Sequence, residues 1–149
     1  MNIDFKNWQI LECLQQNARQ SNTEIARQVG ISSPAVAERI RKMEDAEIIE
    51  GYRAQVSHYE TGHQLRVLIT LRAFMGRLKP FLEKVKTLDE VVNCYRITGN
   101  ENIVMEVVLN NQKHLEKMID QLITFGETKT QIILSSVIQN NPITKKINP

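Results

Sequence analysis

The chain has 149 residues, 42% hydrophobic and 24% charged, enough for one ordinary domain or two small ones with mainly aliphatic cores. No stretch approaches the roughly 20 apolar residues of a membrane span and no apolar leader opens the chain, so a cytoplasmic protein without a membrane partner is expected. The net charge of +2 hides a local imbalance: residues 1–50 carry six Lys and Arg against eight Asp and Glu, which argues against a strong non-specific polyanion binder.

Asp4 is a good N-cap for a first helix, Phe5 to Gln16, whose apolar stripe is Phe5, Trp8, Leu11 and Leu14 with Ile10. Cys13 on this helix and Cys94 later have no CxxC or ligand spacing and read as free buried thiols. His58, His63 and His114 form no HxxxH or HExxH pattern, so neither a metal nor a cofactor is expected. The stretch Ser21 to Lys42 then reads as two short helices around a tight turn. Asn22 or Ser21 caps the first, Thr23 to Val29, and Gly30 turns the corner. Ser32 or Ser33 caps the second, Pro34 suits its first turn, and Val36, Ile40 and Met43 form one buried stripe. Its remaining faces are small, hydroxylic or cationic, as a helix entering a major groove requires. This is a helix-turn-helix, a geometry that also occurs in proteins that bind nothing. On the DNA-binding reading, Ser32, Ser33 and Ala35, with Glu38 and Arg39, face base edges; Arg39 suits a guanine and Glu38 a cytosine N4. Arg41, Lys42 and Arg19 hold phosphates.

Ile48 and Ile49 close this small core, Gly51-Tyr52 turns, and Tyr52 to Val56 alternates like a short strand. The domain is set at 1–56 and the linker, around Gly62, at 57–63. Over 64–139 a pattern occurs twice. A strand faced by Val67, Ile69, Leu71 and Ala73 leads to a helix striped by Leu78, Phe81, Leu82 and Val85, then to a strand from Val91 to Thr98. A strand from Ile103 to Leu109, a helix striped by Leu115, Met118, Ile119 and Leu122, and a strand from Thr130 to Ile138 follow. The order βαββαβ predicts a ferredoxin-like fold, making the whole chain α+β. Its sheet would have one helix-covered face and one mixed face suited to a second subunit. Residues 140–149 read as a loosely held tail.

Together these residues resemble the Lrp/AsnC (feast/famine) family of transcription regulators. The resemblance rests on Asp4, Ile10-Leu11, Leu14, Asn17, Arg19, EIARQVGIS from Glu24, Val36, Arg39-Ile40, Glu44, Ile48-Ile49 and Gly51-Tyr52. In the second half it rests on Val91-Val92, Cys94, Thr98-Gly99, Gly126, Thr128 and Thr130. It implies a DNA-binding head joined by a hinge to an ACT-like (RAM) domain, in homodimers that often assemble to octamers on double-stranded DNA. An amino acid or related small metabolite would bind between dimers. Its loops would be Thr98, Gly99, Asn100, Glu101 and Asn102, and Gly126, Glu127, Thr128, Lys129 and Thr130. Three positions depart from the pattern. Asn102 stands where the family has an aspartate, with Glu101 beside it as a substitute acid. Glu47 replaces a helix-ending glycine, and Asn7 replaces an aspartate, a change read as minor. A ligand-independent architectural role remains open, as does a metabolite-sensing module with a degenerate head. The rival from another class is an enzyme similar to the sirohaem decarboxylases, with histidines around a tetrapyrrole.

Overall fold

The computed structural model describes residues 3–145. The chain divides into two compact units, residues 1–54 with 138–149, and residues 55–137. The described part of the tail, up to residue 145, thus groups with the helical unit.

In the helical unit, α1 (Phe5–Gln16), α2 (Asn22–Val29) and α3 (Ser33–Asp45) surround a core of Ile10, Leu11, Cys13, Ile25, Ala26, Val29, Val36 and Met43. Each helix begins on a side-chain cap. Asp4 accepts from the Asn7 N–H, Ser21 and Glu24 form a reciprocal capping box, and Ser32 accepts from the Ala35 N–H. Gly30 closes α2 at φ 72°, where a side chain would be strained. Val36 and Met43 are sealed in the core, and Ile40 packs at its border.

Several expectations are corrected. Phe5 is 65% exposed, because α1 buries the line of Asn7, Ile10 and Leu11 and carries Phe5 on the opposite side. Residues 52–56 are exposed and join no strand ladder. The loosely held tail is clasped at Ile143, whose N–H donates to Gln15 Oε1 (2.7 Å) while Gln15 Nε2 donates to its carbonyl (3.0 Å). Glu47 does adopt a left-handed conformation, φ 54°, at a strain of about 1 kcal/mol. That turn lets the Ile48 and Ile49 N–H groups both reach the Met43 carbonyl and fold the two isoleucines against the core.

The second unit is β1 (Leu65–Ala73), α4 (Leu78–Val85), β2 (Val91–Arg96), β3 (Ile103–Leu109), α5 (Gln112–Leu122) and β4 (Gly126–Ile132), with sheet order β2-β3-β1-β4 and every pairing antiparallel. This is the expected ferredoxin-like arrangement. Val67, Ile69 and Leu71 from β1 and Ile103, Met105, Val107 and Leu109 from β3 meet Phe81, Met118 and Leu122 in one apolar core. The last strand lies earlier than 130–138. Gly126 already pairs with Ala73, and after Ile132 one more bond, Ile133 N–H to the Arg66 carbonyl, ends the ladder as β1 runs out at Leu65. β2 stops at Arg96, before Thr98. Within the linker, Ser57 to His63 close on themselves in turns.

Candidate DNA interface and ligand recess

The first turn of α1 braces the helix-turn-helix. Lys6 Nζ donates to the Val29 carbonyl at the end of α2. Asp4, already the cap of α1 through Oδ1, accepts from Arg39 Nη1 through Oδ2 at 2.7 Å, and Asn7 Oδ1 accepts from the same nitrogen at 2.8 Å. The guanidinium therefore faces α1, and Arg39 is a strut between α1 and α3 in place of the guanine reader expected from its spacing. Arg39 also holds the Asp4 carboxyl below the usual range, helped by the Asn7 N–H. Asn7, only 2% exposed, is the one buried polar residue recorded among the described residues. At this buried position the Asn7 amide satisfies Arg39 without placing a carboxylate out of reach of water. The sequence signal for this strut was the i, i+3 spacing of Asp4 and Asn7, which puts both on one face.

Ser32 and Glu38 are exposed on α3, and Ser33 and Ala35 partly so. Arg41 is hydrogen-bonded to Glu38 (2.9 and 3.2 Å) and to Asp45 (2.8 Å), and Lys42 Nζ lies 3.4 Å from Glu38. Hydrogen bonding from Arg41 depresses the Glu38 pKa; desolvation opposes it, and the Arg41 charge and Lys42 reinforce it, leaving the net shift downward. The carboxylate expected to accept from cytosine is thus occupied by its own helix. Arg19 sits exposed in the turn after α1, its N–H held by Asn17 Oδ1 at 3.0 Å.

At the edge of the sheet, a recess of about 180 Å³ is lined by Thr70 and Arg72 of β1, Asn100 and Glu101 of the β2–β3 loop, and Glu127, Thr128 and Lys129 of β4. Two ion pairs cross it, Arg72 to Glu127 (2.6 Å) and Lys129 to Glu101 (2.7 Å). The Lys129 hydrogen bond and charge lower the Glu101 pKa. Asn100, Glu101, Glu127, Thr128 and Lys129 come together as the two loops suggested. Thr70 and Arg72 were missed, although the alternation of β1 puts them on the face away from the helices.

The other loop residues lie outside the lining. Asn102 accepts from the Ala73 N–H through Oδ1 (2.8 Å), and its own N–H donates to the Leu71 carbonyl (2.9 Å), so it pins the loop to β1. Thr98 and Gly99 are exposed beyond β2, and Thr130 pairs with Ile69. Gly126 is required by close approach: a Cβ there would meet the Arg72 carbonyl oxygen at 2.3 Å. The histidines have separate neighbours. His63 contacts Thr61 at 3.2 Å in the linker turn, and His114 contacts Glu90 at 2.9 Å. Burial raises the pKa of both thiols.

A family model described as winged helix-turn-helix DNA-binding matches residues 6–50, and one described as the Lrp/AsnC ligand binding domain matches residues 66–143. The chain belongs to the Lrp/AsnC family. It is 32% identical over 149 residues to the regulatory protein AsnC of Escherichia coli K12, covering 99% of this chain and 97% of AsnC. The structure of Bacillus subtilis LrpC superposes with a TM-score of 0.89 at 25% identity, over 93% of this chain and 99% of LrpC. A Neisseria meningitidis transcriptional regulator, solved as its L-Met complex, gives 0.90 at 21% identity over 95% and 96% of the two chains, and shares the fold. As an Lrp/AsnC protein, this chain is a DNA-binding transcriptional regulator with a ligand-binding domain.

Proposed function

We propose that this Lrp/AsnC regulator reads DNA through the N-terminal half of α3 and responds to an amino acid, or a related small metabolite, at the β1–β4 recess. On α3 the base-edge positions are Ser32, Ser33 and Ala35, with Arg41, Lys42 and Arg19 on phosphates. What carries the ligand reading is the recess itself: two carboxylates, two cations and two threonines converge within it. A zwitterion fits that charge set, and the L-Met complex of the Neisseria relative supports an amino-acid ligand. Glu101 supplies the acid that Asn102, turned to Ala73, does not.

The protein works as a cytoplasmic homodimer able to assemble to octamers, and as a regulator in place of an enzyme. Support comes from the sheet face away from α4 and α5. There Arg66 is bonded to Glu106, Asn93 donates to the same carboxylate at 3.2 Å, and Tyr95 and Val92 stand exposed nearby. Burial raises the Glu106 pKa, but the bonds from Arg66 and Asn93 outweigh it and the net shift is downward. A charge satisfied in place can be covered by a second subunit without being left unpaired. Two recognition helices of a dimer would enter successive major grooves about 34–36 Å apart.

Gel shifts of Arg41→Ala and Lys42→Ala across salt test the DNA contacts. Each change should lower affinity for a selected duplex and reduce the salt slope on that duplex by about one; unaltered binding in both contradicts the assignment. For the ligand, thermal shifts with free amino acids, L-methionine included, should respond in the parent and not in Glu101→Gln. A flat response of the parent to the whole panel contradicts an amino-acid effector.

A further inference from the structure

At about 100° per residue, Glu38, Arg41, Lys42 and Asp45 fall on the side of α3 opposite Val36 and Met43, the residues it buries. Along that ridge the two bases stand between the two acids. Arg41 spans Glu38 and Asp45 at 2.9 and 2.8 Å, while Lys42 reaches back to Glu38 at 3.4 Å. Two carboxylates and two cations leave the outer face of the recognition helix without net charge. Glu38 is the hub, since it alone holds both bases. The helical head, with its excess of acids over residues 1–50, adds no compensating positive field.

We propose that Glu38 is a specificity-determining residue that acts by occupying Arg41 and Lys42. It withholds both cations from the phosphates of arbitrary DNA and yields them where a matched site seats α3 deeply in the groove. This rests on the DNA-binding reading of α3. The pairs are solvent-exposed, so they are weak enough for well-placed phosphates to displace. A poorly matched duplex holds the helix further out, and its phosphates meet an intact pair together with the repulsion of an unreleased carboxylate. The lock therefore lowers random binding more than matched binding, and a head of weak individual affinity stays selective when several copies act together.

The test is Glu38→Gln in the full chain, which keeps the size of an exposed side chain and a good helix former. Binding is read by fluorescence anisotropy on a duplex obtained by selection and on a random-sequence duplex, between 50 and 200 mM salt. The lock predicts that affinity for the random duplex rises about three- to tenfold, that its salt slope steepens by about one, and that the ratio of selected to random affinity falls. Asp45→Asn, which frees only part of Arg41, gives a smaller rise. Adding Lys42→Ala to Glu38→Gln returns the slope towards that of the parent. Equal binding by parent and Glu38→Gln on both duplexes overturns the lock. So does a loss confined to one base pair of the selected site, because Glu38 would then be a base reader. Failure of both proteins to bind any duplex overturns the DNA reading of α3 and the lock with it.

Discussion

On the recognition helix, Arg41 and Lys42 meet their carboxylates three or four residues away along the same helix. In the recess, Arg72 meets Glu127 across a strand pair, and Lys129 meets Glu101 across a loop. Both surfaces present cations already satisfied, so in each an incoming anion must displace a carboxylate of the protein. They differ in what holds the partners together. Helical periodicity alone sets the first arrangement and survives small changes elsewhere in the fold, whereas the second depends on the register of β1 against β4. Disturbing that register should abolish the recess while leaving α3 unaffected.

Gly126 offers the strongest way to break the comparison. A methyl group there collides with the Arg72 carbonyl and the Ala73 Cα of the neighbouring strand. Gly126→Ala should cost about 2–3 kcal/mol in chemical denaturation and abolish the ligand response, with binding of random DNA unchanged. Next comes the strut. Asn7→Ala leaves the Arg39 guanidinium short of one partner and opens a small gap, for about 1–3 kcal/mol. A double-mutant cycle with Arg39→Ala should return a coupling of roughly 0.5–3 kcal/mol; strict additivity would contradict the bonds seen here.

A smaller effect is expected at Asp4, whose pKa is lowered by the Arg39 hydrogen bond and the Asn7 N–H. A depressed carboxylate stabilises fully above its unfolded pKa of about 4, and that contribution is lost as pH falls through the lower folded value. Asp4→Asn keeps a competent N-cap, so it should reduce stability at pH 7 and flatten the decline below about pH 4, read from urea midpoints. Glu101→Gln should be milder still for stability, because the lysine of its pair is solvent-exposed, while removing the thermal response to ligand.

The same distinction decides how much was legible in the sequence. Asp4, Ser21, Gly30, Ser32 and Pro34 act within a few residues of themselves, and the three helices follow from them. The alternation of Val67, Ile69 and Leu71 likewise gave the buried face of β1. Arg39 was misread because its partners lie 35 and 32 residues away on α1, and helical spacing cannot distinguish an outward guanidinium from one folded back. Asn102 was misread for a similar reason, since its side chain caps β1 across the loop. The apolar run from Ile132 to Ile138 has the composition of a strand, but a strand ends where its partner does, at Leu65. The glycine at 126 looked like part of a ligand loop, and only the packing of β4 on β1 reveals it as a close approach.

One substitution separates the fold of α3 from its function. Ala35 is the third residue of a helix capped by Ser32, so Ala35→Glu completes the Ser-x-x-Glu capping box that α2 already has in Ser21 and Glu24. The added carboxylate also lies where the helix dipole favours it, for a gain of about 0.3–1 kcal/mol. If the start of α3 lies against DNA, the variant should melt no lower than the parent and yet bind a selected duplex at least about tenfold more weakly, because a carboxylate now faces the groove. A stable Ala35→Glu protein with undiminished DNA affinity would contradict that placement.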